Sequence, residues 1–234
     1  MPLVVFLHGG MWVLGDLDTH DRTCRILAST ANVSVLAVDY RRAPEYPWPA
    51  AVDDSISALR WAMDSRHHPI AVGGDSAGGC LAALACQRLL DGGEPLPAAQ
   101  ALAYPNTDLT FSRASARQRS EDQGLDMELV RRCAEAWARD PAVRADGRAS
   151  PLHAQSQHGL PPTLIVTAEA DPLRDEGDAY ARALELANVQ VCHRCEPGLP
   201  HGFLQNMDLV EPAAGRAVER FCKDVAQLMR QVGP

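Results

Sequence analysis

The sequence predicts an α/β fold, a mostly parallel sheet with helices on both faces, and three observations carry that prediction. Short apolar runs of strand length alternate with longer helical stretches along most of the chain. A tight small-residue turn, Gly73-Gly74-Asp75-Ser76-Ala77-Gly78-Gly79, joins one such run to an Ala/Leu-rich helix former. The length, 234 residues, suits one undivided domain, since α/β folds often run ~200–250 residues as a unit.

Taken in order, Leu3–Leu7 reads as the first strand and passes straight into a His8-Gly9-Gly10 loop. Thr19–Thr30 is helical, and Val33–Asp39 is the second strand. The Pro-rich loop Arg42–Pro49 leads into a helix over Ala50–Met63, whose first turn places Asp53 and Asp54 at the positive end of the helix dipole. Ile70–Gly73 is the third strand, and the helix after the small-residue turn is closed by Asp91-Gly92-Gly93. Gln100–Tyr104 is the fourth strand.

Residues 105–160 break the alternation and read as an insertion over the strand ends. Within it Ser112–Gln123 is polar and basic, and a helix starting at Asp126 has Leu129, Val130, Cys133, Ala134 and Trp137 as its apolar stripe. The alternation then resumes with a buried strand at Thr163–Ala168, a helix at Asp175–Ala187, a last strand at Val189–Cys195 and an amphipathic helix over Pro212–Met229. No internal repeat divides the chain, so residues 1–234 are expected to form a single domain.

A formal charge of −8 with one lysine, Lys223, excludes the clustered basic surface that nucleic-acid binding needs. No apolar run approaches the ~18 residues of a membrane span. Met1–Leu7 is too short and lacks the basic flank of a signal peptide, so the expectation is a soluble, cytoplasmic protein. Seven scattered cysteines fit reduced thiols filling core gaps. Cys192-His193-Arg194-Cys195 has redox or zinc-knuckle spacing but lies in an alternating segment. Residues three apart in a strand point to opposite faces, which argues against a shared metal. With no phosphate-binding glycine loop either, no cofactor is expected.

The small-residue turn is where chemistry enters. A strand that turns sharply into a helix at G-x-S-x-G lifts the serine Oγ out of the fold and into solvent, and glycines are needed where a Cβ would clash. Gly74-Asp75-Ser76-Ala77-Gly78 has that pattern. A plain β–α turn with Ser76 as helix N-cap has the same local sequence, so the rest of the chain must decide. Ester hydrolysis takes a nucleophile, a base for its proton, a group that orients the base, and donors for the oxyanion. Downstream of Ser76 the chain has Asp171, just after the strand at 163–168, and His201, just after the last strand. Both lie at carboxyl ends of strands, the edge at which open parallel sheets bind ligands. Asp175 and Glu176 read as first-turn helix acids; periodicity does not exclude Glu169, but loop position favours Asp171; His193 lies within a strand, and His153 and His158 in the insertion. Upstream, His8-Gly9-Gly10-Met11-Trp12 follows the first strand.

These segments resemble those of the hormone-sensitive-lipase-like (family IV) bacterial carboxylesterases, an α/β-hydrolase group. The resemblance is carried by His8-Gly9-Gly10, Gly74–Gly79, Asp171-Pro172-Leu173-Arg174-Asp175 and His201-Gly202-Phe203, with Tyr40–Glu45 resembling a further, structural segment. It runs over nearly the whole chain. It implies an α/β-hydrolase fold and cofactor-free hydrolysis of small, short-acyl esters through an acyl-enzyme, with Ser76, Asp171 and His201 as the triad. The oxyanion hole it implies is built by Gly9, Gly10, Met11 and Ala77, with N–H donors from Gly10, Met11 and Ala77 and with Gly9 allowing close approach. The 105–160 insertion becomes a partial cap that helps form the acyl pocket. An amidase, acyltransferase or lactonase would use the same residues, and a non-catalytic small-molecule-binding protein on this fold is the alternative from another class.

Two departures from the family pattern matter. Met11 stands where the family has its third glycine, which keeps the N–H donor but costs roughly 1–2 kcal/mol if φ is positive. The oxyanion motif begins at residue 8, whereas the family carries a sizeable segment ahead of it. The fold is therefore expected to be shortened on its amino-terminal side, with the Val33–Asp39 strand at a sheet edge and a more open site. An unpaired apolar edge invites pairing, so a homodimer or higher oligomer is expected to shield it.

Overall fold

The computed structural model describes residues 1–64, 69–118, 125–205 and 212–233. Six strands form one sheet: β1 (Leu3–Leu7), β2 (Ser34–Val38), β3 (Ile70–Asp75), β4 (Ala99–Ala103), β5 (Thr163–Ala170) and β6 (Val191–Pro200). Their order is β2-β1-β3-β4-β5-β6 and every neighbouring pair is parallel. β2 is thus an edge strand, as the sequence reading expects, and β6 is the other edge.

Alternation along the central strands divides the core into two layers. In β1, Leu3, Val5 and Leu7 join one cluster while Val4 and Phe6 join the other. The first layer packs under α2 (Ala50–Met63), α3 (Ala77–Asp91) and, beyond the insertion, α7 (Arg174–Leu186). The second packs under α1 (Leu17–Ala31) and the C-terminal helix α8 (Pro212–Gln231). Strands buried on both faces read as continuous apolar runs, which is why β1, β3 and β5 were conspicuous in the sequence.

Several boundaries move for physical reasons. α1 starts at Leu17 because Asp16 caps it, accepting from the Thr19 N–H while the Thr19 hydroxyl closes the reciprocal bond. β3 continues past Gly73 because Gly74 and Asp75 still pair with Leu102 and Ala103 of β4. β6 runs on through Glu196-Pro197-Gly198 to Pro200, which pairs with Ala170 after a register irregularity in β5. An edge strand tolerates proline and glycine there, and the extension delivers the chain directly to His201.

The insertion contains α4 (Ala114–Gln118), α5 (Met127–Trp137), α6 (Pro141–Arg144) and a 3₁₀ turn at Pro151–His153. The polar stretch to Gln123 falls partly outside the described residues. On α5, capped by Asp126, the buried stripe is Met127, Val130, Cys133, Ala134 and Trp137. Leu129, expected in that stripe, is 44% exposed, because one residue is 100° of helix turn and Val130 already faces the core. Among the described residues, no helix is long and apolar enough to cross a membrane.

Candidate active site

The carboxyl ends of β1, β3, β5 and β6 meet at one sheet edge, and each delivers one part of the site. At the end of β3 the backbone turns through Ser76 at φ 53° and ψ −120° before α3 begins. That conformation costs of order 1–3 kcal/mol. It is held by the Ser76 N–H donating to Ala103 O at 2.9 Å and by Ser76 O accepting from Cys80 and Asn106.

Ser76 occupies the N-cap position of α3, yet its side chain makes no capping bond. Its Oγ instead lies 2.8 Å from Nε2 of His201. Nδ1 of His201 lies 2.8 Å from Oδ2 of Asp171, whose other oxygen accepts from the Leu173 N–H at 2.8 Å. The carboxylate holds the proton on Nδ1, which leaves Nε2 as the acceptor for the serine proton. Asp171 is fully buried and Ser76 is 6% exposed. The Oγ therefore does not project into bulk solvent as the turn motif alone suggested; it sits between His201 and Asn106. The Tyr104 ring braces the imidazole edge-on at 4.7 Å, while the Tyr104 hydroxyl accepts from the Leu204 N–H.

The competitors are engaged elsewhere. Glu169 accepts from Gly198, Asp175 pairs with Arg174 and Ser115, and Glu176 binds the Thr107 N–H. His153 meets Asp108, His193 meets Asp178, and His158 contacts Ala187 O. Asp171 and His201 are the pair that reaches Ser76.

The loop after β1 runs through three residues at positive φ: Gly10 at 127°, Met11 at 55° and Trp12 at 61°. At φ 127° glycine is the residue that fits without strain. Val13 and Leu14 donate back to Gly10 O, closing the turn. Among the described residues, the N–H groups of Gly10, Met11 and Ala77 have no protein acceptor. Ala77 is the first residue of α3, where a helix leaves its N–H groups free.

Gly9 has a different place. Its N–H donates to Oδ1 of Asp75 at 2.9 Å, and a Cβ on Gly9 would lie 2.5 Å from Oδ2 of the same carboxylate. It is a close-approach position whose N–H is already committed, so it is not a free donor.

A buried polar network around that bond went unread in the sequence. Asp75, beside the serine, is 1% exposed and 3.3 Å from Nε2 of His20, which also contacts Gln205 at 2.7 Å. His8 stacks on Tyr40 at 4.2 Å, and the Tyr40 hydroxyl donates to His8 O at 2.7 Å. Burial holds the His8 imidazole below its ordinary value, in keeping with a neutral ring whose Nδ1 donates to Gly9 O. Arg42 donates to Gly15 O. The Tyr40–Glu45 segment thus embraces the glycine loop, a role that its spacing alone did not reveal. The insertion reaches the site through Asn106 beside Ser76 and through Trp137 stacked on Trp12 at 4.6 Å.

The chain is similar to known proteins over most of its length. Residues 4–205 match the family described as alpha/beta hydrolase fold. The chain is 45% identical over 220 residues to the carboxylic ester hydrolase LipN of Mycobacterium tuberculosis, covering 89% of this chain and 58% of LipN. It is 41% identical to the carboxylesterase NlhH of the same organism, covering 94% of this chain and 72% of NlhH. Among solved structures, the hyperthermophilic esterase of Pyrobaculum calidifontis superposes with a TM-score of 0.92 at 37% identity, covering 97% of this chain and 77% of that one. The chain therefore spans between 58% and 77% of the lengths of these relatives.

Proposed function

Since the chain belongs to the hormone-sensitive-lipase-like esterases of the α/β-hydrolase fold, we propose that Ser76, His201 and Asp171 are the catalytic triad of a carboxylic ester hydrolase acting on small esters. One observation carries the reading. An unbroken line of two 2.8 Å contacts runs from a buried carboxylate through an imidazole to a serine held in a strained turn. Relatives named carboxylesterase and ethyl acetate hydrolase support the substrate class.

In this mechanism Ser76 Oγ attacks the ester carbonyl as its proton passes to His201 Nε2. Asp171 keeps the imidazole oriented and stabilises its charge. The carbonyl oxygen becomes an oxyanion that accepts from the N–H groups of Gly10, Met11 and Ala77. The intermediate collapses, the C–O bond to the alcohol breaks, and His201 returns the proton to the departing oxygen. Water, deprotonated by His201, then attacks the acyl-enzyme. The second collapse releases the carboxylic acid and restores the Ser76 hydroxyl.

The 105–160 insertion contributes a wall of the acyl pocket through the segments carrying Asn106 and Trp137. A second copy of the chain covers the β2 edge. All seven cysteines are free thiols, which suits a reducing, cytoplasmic setting.

The deciding experiment is a p-nitrophenyl ester series from acetate to dodecanoate, with Ser76→Ala as the control. Turnover of the short esters that disappears in the variant is the expected result. Hydrolysis by Ser76→Ala at the parent rate overturns the assignment.

A further inference from the structure

We infer that Asn106 is a further catalytic residue, whose carboxamide donates a hydrogen bond to Ser76 Oγ both when that oxygen attacks and when it later leaves. The inference rests on the serine-hydrolase reading and extends it.

The resting site holds a conflict. Ser76 has one hydroxyl proton, and His201 Nε2 at 2.8 Å is the base that receives it. Oγ then faces its surroundings as an acceptor. Its other side-chain contact is with Oδ1 of Asn106 at 3.4 Å, also an acceptor. Meanwhile Nδ2 of the same carboxamide is buried with no partner, in a residue only 1% exposed. An orphaned buried donor is destabilising, because it has given up its water without gaining a partner.

A half-turn about Cβ–Cγ exchanges oxygen and nitrogen in nearly the same volume. It points an N–H at Oγ and removes the acceptor–acceptor contact. At 3.4 Å the bond is weak at rest, but such contacts tighten as charge gathers on the acceptor.

The segment carrying Asn106 is held for this purpose from two sides. The Asn106 N–H donates to Ser76 O at 3.3 Å, tying residue 106 to the nucleophile's own backbone. Next along the chain, the Thr107 N–H donates to Glu176 Oε1 at 2.8 Å and the Thr107 hydroxyl to Glu176 O at 2.9 Å. A donor fixed before the reaction costs no reorganisation during it. This donor is distinct from the oxyanion hole. It acts on the serine oxygen, whereas Gly10, Met11 and Ala77 act on the carbonyl oxygen of the substrate.

The two steps of the mechanism make the role measurable. In acylation Oγ becomes electron-rich as its O–H bond breaks and its bond to the carbonyl carbon forms. In deacylation that bond breaks, Oγ takes the electron pair, and His201 returns the proton. A donor on Oγ assists both steps, so its removal slows both. KM in an acyl-enzyme mechanism scales with the ratio of the two rate constants and stays put.

Stopped-flow hydrolysis of p-nitrophenyl acetate separates the two rate constants, the burst reporting acylation and the steady state deacylation. Asn106→Leu removes the donor at similar volume, and each rate constant is expected to fall about ten- to hundredfold, with KM within about twofold of the parent. Both rate constants remaining within about twofold of the parent, or a loss confined to KM, overturns the inference. Should Asn106→Leu fail to fold, Asn106→Asp keeps the shape, lacks the N–H and is held to the same criterion. The parent and Ser76→Ala are run alongside. A parent that hydrolyses the ester independently of Ser76 refutes the underlying reading, whereas a Ser76-dependent parent with an unaltered Asn106→Leu refutes only the role of Asn106.

Discussion

Asp75→Ala is the substitution that most directly tests whether the glycine loop is preorganised by its neighbours. Asp75 is 1% exposed and its carboxylate accepts the Gly9 N–H at 2.9 Å. Removing the carboxylate leaves that N–H buried with His20 Nε2, 3.3 Å away, as its remaining contact. Losing a hydrogen bond to a charged acceptor costs about 2 kcal/mol, which in a chain of this size is about 4–8 °C in Tm. The effect on rate follows from position. Gly9 is the residue before Gly10 and Met11, so a released Gly9 shifts two donors together. Deleting one oxyanion donor outright costs ~10²–10³ in kcat, and loosening two without deleting either should cost about 10–100-fold. Asp75→Asn separates charge from bonding, because its Oδ1 still accepts from Gly9, and kcat within about threefold of the parent is expected for it. The assay is steady-state hydrolysis of p-nitrophenyl acetate with thermal melts of the same samples. An Asp75→Ala protein that melts several degrees lower yet keeps the parent kcat refutes the reasoning, since the bond would then be structural only.

Three further outcomes are expected. Met11→Gly relieves a left-handed φ of 55° but loses a half-buried side chain packed on the core. These stability effects are each about 1–2 kcal/mol and opposed, so the change should appear in kcat/KM and acyl-chain preference across an ester panel rather than in Tm. Glu176 is fully buried, and burial pushes its carboxyl well above the ordinary value. A carboxyl whose folded pKa is raised stabilises fully below the unfolded value of about 4.3, and that contribution is lost as pH rises towards the folded pKa. Glu176→Gln should therefore melt like the parent near pH 4 and progressively higher than the parent towards pH 8, and identical melting differences at both ends would contradict it. For the β2 edge, light scattering at micromolar concentration should give a mass of at least twice that of one 25.3 kDa chain, and a clean monomer removes that part of the proposal.

How much was legible beforehand depended on whether the determinants were local. The helix near Ala50–Met63 was readable because the Pro-rich loop before it and its acidic first turn lie within one stretch. That Ser76, Asp171 and His201 meet was readable as far as chain order and strand ends go. The choice of Asp171 over Glu169 rested on loop position alone, and the structure bears that distinction out: Glu169 still lies in β5, while Asp171 stands just beyond its end. The structure sends Glu169 to Gly198 and Asp171 to His201. Least legible was the support of the glycine loop. Gly9 and Asp75 are 66 positions apart, and His20 and Gln205 185 apart. No periodicity marks such partners, and a buried Asp or His in a loop or helix looks like a surface residue until the fold is known.

The same distinction explains how the loop tolerates a methionine. Two consecutive non-glycine residues, Met11 and Trp12, stand at positive φ, at roughly 1–2 kcal/mol each. Something must outweigh that, and the loop's own bonds to Gly10 O are too few. Trp12 is fully buried and its ring lies at 4.6 Å and 4° from Trp137 of α5, while its carbonyl accepts from the Ala43 N–H at 3.0 Å. Burying 150–250 Å² of indole contributes about 4–6 kcal/mol, and the stacked pair adds about 0.5–1.5 kcal/mol. Both indole N–H groups are buried without partners, which returns about 1–3 kcal/mol for each. The partner that supplies the stack is Trp137 of α5, so that helix of the insertion forms part of the scaffold that keeps the loop after β1 in its strained shape.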